Sequence, residues 1–114
     1  MFGRAIGDNQ HIAFTIARMQ ARTHSARLAT YDAAHRIVAG RPFKMQASLA
    51  KMISSEAAMA NARDAAQIWG GYGFLNENPV ARHYRDAKVL EIGEGTTEVQ
   101  LMIIARELGF GAAA

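Results

Sequence analysis

Apolar and small residues recur along the first third of the chain at alternating steps of four and three: Ile12, Ile16, Met19, Thr23, Ala26, Thr30, Ala33 and Ile37. That spacing keeps them on one side of a 3.6-residue turn. It predicts an amphipathic helix of about thirty residues, roughly 45 Å long at 1.5 Å per residue. Asp8 or Asn9 is placed to cap its start, because a short side-chain oxygen accepts from the orphan amides of a first turn. Gly40 supplies the left-handed backbone that ends a helix, and Pro42 makes the break sharp.

A second helix is predicted from Phe43 or Lys44, striped by Met45, Leu49, Met52, Met59 and Ala66, with Ile53, Ala57 and Ala60 beside the stripe. Its many alanines allow neighbouring helices to approach closely. Glu56 and Arg63 fall inside the stripe, which predicts a structural ion pair or a hydrogen-bonded core acid. Gly70-Gly71 ends the run, since paired glycines weaken a helix and permit backbone shapes closed to other residues. Residues 72–78 read as a turn-rich loop, and Pro79 to about Lys88 as a short helix opening on proline. Gly93-Glu94-Gly95-Thr96 then interrupts the chain. Thr96 is placed to cap a last helix, with Glu98 in the first turn, where the helix dipole favours an acid. Val99, Leu101, Ile103, Ile104 and Leu108 carry that helix to Gly109. No segment alternates with period two long enough for a strand. The expected fold class is all-α, an antiparallel up-and-down helical bundle.

At 114 residues the chain has the length of one domain, residues 1–114, and half of it is hydrophobic. With no cysteine, a disulfide framework, a thiolate zinc site and a cysteine nucleophile are excluded, which fits a reducing, cytoplasmic setting. The first ten residues lack the apolar h-region of a signal peptide, and no apolar run approaches the length of a membrane span. The net charge of +3 comes from scattered bases, not from a stripe interleaved with aromatics, so no nucleic-acid partner is expected. His11, His24, His35 and His83 show no metal-ligand spacing. His24 and His35 lie about three turns, roughly 16 Å, apart on one helix, too far to share an ion. No metal site is expected.

Two glycine-punctuated helix ends carry the candidate chemistry. In Gln67-Ile68-Trp69-Gly70-Gly71-Tyr72-Gly73-Phe74 the glycines allow close approach of a ligand to the backbone, or simply form a helix cap and a tight turn. In Glu94-Gly95-Thr96-Thr97-Glu98-Val99-Gln100 an acid between two glycines either faces a cleft and serves as a base, or is a solvated loop carboxylate.

Taken in order, four segments resemble the acyl-CoA dehydrogenase family across nearly the whole chain: Phe2 to Gln10 (FGRAIGDNQ), Gln67 to Phe74, Tyr84-Arg85-Asp86-Ala87-Lys88, and Glu94 to Gln100. The resemblance implies the family's C-terminal helical domain. The family's first bundle helix, a flavin-binding arginine just before Phe2, and the N-terminal and middle regions have no counterpart here. It implies FAD as cofactor, an acyl-CoA thioester as substrate, and an electron-transfer flavoprotein as electron acceptor. Glu94 matches the catalytic base that removes the α-proton while the β-hydride passes to the flavin. The main-chain amide at Glu94 and a flavin hydroxyl would hold the thioester oxygen. Gln67, Ile68, Trp69, Gly70 and Gly71 match a stretch that contacts the FAD of a neighbouring subunit, and Phe2 and Gln10 match further flavin contacts. Thr96 and Glu98 match positions that hold the flavin near the active site, and Gly95 touches substrate through its backbone. Where many straight-chain enzymes have a tyrosine this chain has Gly93, which leaves room for a bulkier or branched acyl group.

Two functions follow as expectations. The first is FAD-dependent α,β-dehydrogenation of an acyl-CoA, with this chain as the segment carrying the base and inactive when isolated. The second is a non-catalytic helical assembly module, a truncated domain or a subunit completed by another chain; a homo-oligomer or the complement of a missing chain is expected.

Overall fold

The computed structural model describes residues 3–111; Phe2 lies outside them. After a 3₁₀ turn at Ile6–Asp8, α1 runs over Gln10–Val38 and α2 over Lys44–Trp69. A second 3₁₀ segment, Gly70–Phe74, follows directly on α2. It is succeeded by α3 at Pro79–Ala87, the single turn α4 at Val89–Ile92, and α5 at Thr97–Glu107. Among the described residues there is no strand, so the expected all-α fold stands. Residues 72–74, expected as the start of a turn-rich loop, are 3₁₀-helical because Gly73 folds back onto α2; a Cβ there would come within 2.7 Å of the Ala66 carbonyl oxygen.

The helix ends follow local chemistry. At the end of α1, Gly40 takes φ +63°, and the Arg41 amide reaches back to the Arg36 carbonyl at 2.9 Å, closing the orphan carbonyls in a Schellman turn. Gly109 repeats the device after α5, with Phe110 N–H donating to Ala105 O at 2.8 Å. Asn78 caps α3 by accepting from Val80 N–H at 3.0 Å, with Pro79 in the first turn. Asn9 holds the N-cap position of α1 but makes no side-chain cap bond; its amide donates instead to Ile6 O at 3.2 Å. The preceding 3₁₀ turn draws that side chain backward.

α1 and α2 form an antiparallel hairpin with a polar clasp. Asn61 donates to Met19 O and to Thr23 Oγ1. Arg22 donates to Asn61 Oδ1 and pairs with Asp64. Farther along, Thr30 meets Ser54 at 3.3 Å. α5 lies antiparallel to α2 on another side, with Lys44 paired to Glu107 at 3.1 Å. Glu56 and Arg63 are exposed and unpaired with each other, contrary to the expected core pair. α1 and α5 cover other sides of α2 and leave this line to solvent.

The buried apolar residues are Ala33, Ala50, Ala57, Ala62, Ala87 and Val80, and no large side chain among those described is fully buried. Small residues therefore set the helix spacing. The radius of gyration, 17.6 Å, exceeds the roughly 13 Å of a compact chain of this length. Phe14, Leu28 and Tyr31, each more than half exposed, lie on the face of α1 turned away from α2.

Candidate functional site

The turn between α4 and α5 is built from the inside. Glu94 has φ +57°, the sole left-handed non-glycine among the described residues, and Gly95 follows at φ +88°. Such a backbone costs an L-residue about 1–2 kcal/mol and persists only where its surroundings fix it. Gln100 does the fixing. It is 6% exposed, and its amide donates to Gly95 O at 3.1 Å and to Glu94 O at 3.5 Å. A Cβ on Gly95 would meet that same amide at 2.8 Å, so a side chain there is strained by φ and would push Gln100 from its hydrogen bonds. The Thr96 hydroxyl accepts from Val99 N–H at 3.4 Å and caps α5. The Glu94 carboxylate is exposed and has no partner among the described residues.

Glu98 sits in the first turn of α5. Hydrogen bonds from its own backbone amide, then from Thr96, hold its carboxyl below the ordinary glutamate range, with the charges of Lys88 and Lys51 adding to the effect. Lys88 is pushed up by its 2.6 Å hydrogen bond to Glu91 and by that carboxylate's charge. Lys51 Nζ is buried without a hydrogen-bond partner among the described residues. This buried donor, close enough to act on Glu98, ties the start of α5 to the first half of α2.

The other glycine turn sits at the far end of α2. Sixteen residues separate Lys51 from Gln67, so that turn lies roughly 24 Å farther along the helix axis. Gln67 lines two cavities. The smaller, about 290 Å³, runs between the ends of α1 and α2 and is bounded by His11, Ile12, Gln67 and Ile68 among others. The larger, about 800 Å³, lies between α2, the 3₁₀ segment and α3. Gly70 takes φ +58°, and neither Gly70 nor Gly71 has an atom within 4 Å of where a Cβ would stand. Trp69 is 54% exposed. The structure thus gathers Gln67 to Gly71 beside the start of α1, where Gln10 is the first, exposed helical residue. It groups Glu94, Gly95, Thr96 and Glu98 elsewhere, and neither cavity is lined by these four. Gln100, which organises their turn, stood out in the sequence only as the end of a matching segment. No group of three potential metal ligands occurs among the described residues.

A family model for the acyl-CoA dehydrogenase C-terminal domain matches residues 1–109. The chain belongs to the acyl-CoA dehydrogenase family. It is 46% identical over 102 residues to the short-chain specific acyl-CoA dehydrogenase of Megasphaera elsdenii, covering 90% of this chain and 27% of that protein. The chain therefore spans little more than a quarter of such relatives. Its fold superposes on butyryl-CoA dehydrogenase from the same organism with a TM-score of 0.94 at 44% identity, covering 96% of this chain and 29% of that one. A chain in a structure described as the electron transferring flavoprotein of Acidaminococcus fermentans aligns with a TM-score of 0.92 at 38% identity, covering 95% of this chain and 28% of that one. These likenesses bear out the expected resemblance and helical fold. No helix among the described residues is long and apolar enough to cross a membrane.

Proposed function

We propose that residues 1–114 form the C-terminal helical part of a cytoplasmic, FAD-dependent acyl-CoA dehydrogenase, and that Glu94 removes the α-proton of the thioester substrate. One observation carries the assignment of Glu94. Its carboxylate projects, unpartnered, from a left-handed turn that the buried Gln100 locks in place. A base must be aimed before it is useful, and a fixed backbone with a free side chain achieves that.

The residues present fit a flavin. Gly70 and Gly71 leave their backbone open, the exposed Gln67 amide has no partner among the described residues, and Thr96 and Glu98 are fixed at the start of α5. Bound FAD would supply the hydride acceptor for the β-carbon. Glu94 would take the α-proton onto a carboxylate oxygen, and its main-chain amide would donate to the thioester oxygen. Gly95, lacking a Cβ, would let the acyl chain approach the backbone. That the two glycine turns line no common cavity supports a division of labour. Glu94, Thr96 and Glu98 would serve one flavin, and Gln10 with Gln67 to Gly71 (and Phe2, outside the described residues) the flavin of a partner copy. An electron-transfer flavoprotein is the acceptor we propose.

The test is Glu94→Gln in a complete enzyme containing this segment. Flavin content and acyl-CoA affinity should hold while turnover falls by about 10²–10⁴, the usual contribution of a general base. Glu56→Gln, altering an exposed acid outside the turn, should still reduce flavin. A Glu94→Gln rate within about threefold of wild type would rule the assignment out.

A second reading, a non-catalytic assembly module, is favoured by the exposed Phe14, Leu28 and Tyr31 on the face of α1 turned from α2. For either reading the purified chain should self-associate and stay colourless with FAD, since most contacts to so large a ligand are absent. A sedimentation mass of one chain at micromolar concentration contradicts the first expectation, and a yellow stoichiometric complex the second.

A further inference from the structure

The Lys51 ammonium is shut from water and has no hydrogen-bond partner among the described residues. Ser48 and Ser55, one turn before and one turn after it on the same side of α2, are both buried. The stem therefore enters the interior rather than lying along the surface. Ser55 is engaged within its own helix, where its hydroxyl donates to Met52 O at 3.0 Å. Burying an ammonium without an acceptor opposes folding, and an uncharged stem of similar length would fill the same space without that cost.

What the charge does reach is acidic. Lys51 acts on Glu98, in the first turn of α5, and Lys88 acts on the same carboxylate from the start of α4. Lys88 in turn donates to Glu91 at 2.6 Å. Charges thus alternate in the order Lys51, Glu98, Lys88, Glu91, from α2 through α5 to α4. Glu91 stands three residues before Glu94 and Glu98 four residues after it, so the series brackets the turn from both sides. α5 packs on α2. Two residues beyond Glu98 comes Gln100, the buried amide that holds Glu94 O and Gly95 O.

We propose that Lys51 is a positioning residue for the turn that carries Glu94, its buried charge anchoring the first turn of α5 to α2 so that Gln100 stays seated. A charge in a low-dielectric interior is screened less than a solvated one, which is what Lys51 adds to the exposed Lys88. Lys51 acts through Glu98 and Gln100 and touches no reacting atom. Its catalytic consequence rests on the reading of Glu94 as a base, whereas the anchoring is a property of this chain alone.

The test is Lys51→Met, which keeps an unbranched stem and removes the charge. In the purified chain it should melt within about 2 °C of wild type, or later, because the lost ammonium made no hydrogen bond. The Gln100 side-chain amide protons, followed by NMR, should nevertheless exchange about threefold faster. The Glu98 carboxyl, still held below its ordinary range by its backbone amide and by Thr96, should titrate higher than in wild type. Lys44→Met removes the α2 cation that pairs with Glu107 at the other end of α5, and should change neither readout. Unchanged Gln100 exchange, an unmoved Glu98 titration, or equal changes in Lys44→Met would overturn the anchor. Melting more than about 4 °C early would make Lys51 a structural residue and overturn it too. In a complete enzyme containing this segment, Lys51→Met should lower kcat by about threefold with KM and flavin content unchanged. A rise in KM at constant kcat would overturn the positioning role. The NMR changes together with a fully active Glu94→Gln would keep the anchor and remove the base; their absence with an inactive Glu94→Gln would do the reverse.

Discussion

The two glycine turns of this chain look alike in sequence and differ in what their glycines are for. At Gly95 the demand is internal: φ is +88° and the Gln100 amide occupies the space a Cβ would need. Gly71 has neither a positive φ nor any neighbour within 4 Å of a Cβ. The chain's own packing gives no reason for glycine there, which fits the proposal that a flavin approaches its backbone.

Beyond the loss of turnover expected for Glu94→Gln, the largest effect that would sharpen this contrast is Gly95→Ala. Forcing a Cβ into a left-handed position against Gln100 should destabilise the chain by about 2 kcal/mol, lowering Tm by roughly 8 °C in thermal circular dichroism. Thr96→Ala should cost about 1 kcal/mol through loss of the α5 cap, about half that shift. Gly71→Ala should leave Tm within roughly 2 °C, yet reduce flavin retention when placed in a complete enzyme. If Gly71→Ala melts as early as Gly95→Ala, the contrast collapses.

The smallest effect is electrostatic. Hydrogen bonds hold the Glu98 carboxyl below its ordinary range, so its contribution is fully present above the unfolded value of about 4.3. It is lost as pH falls from there through the lower native value. Glu98→Gln should therefore flatten the acid side of the Tm profile and leave neutral pH little changed. An unchanged slope below pH 4 would remove Glu98 from the account. The group is exposed, so salt should shrink the effect further.

Much of the fold was legible. Gly40, Gly70, Gly109, Pro79 and Thr96 mark helix limits because each acts through its own backbone or its nearest turn, which is local information. The phase of α1 was only half legible. Ile12, Met19, Thr23, Ala26 and Ala33 turn inward as their spacing predicts, but Ile16, Thr30 and Ile37 are exposed, and Thr15, Arg22, Ala29 and Arg36 share the half-buried face instead. Phe14, Ala17, Ala21, Leu28 and Tyr31 form another stripe at steps of three, four and seven. With apolar residues on more than one side, periodicity cannot say which side meets α2; the Arg22, Asn61 and Asp64 clasp decides it.

The candidate site divides along the same line. Sequence by itself determined the helix stops, the all-α class and the two glycine turns, since those depend on residues a few positions apart. It also carried the family's motifs, which single out Glu94. Only the tertiary structure decided that the turns meet different parts of α2 and that Gln100 locks Glu94. It alone brings Arg63 and Arg82, nineteen positions apart, to one cavity. Contacts between distant positions depend on how the helices pack, and a local pattern of side chains does not encode which faces will meet.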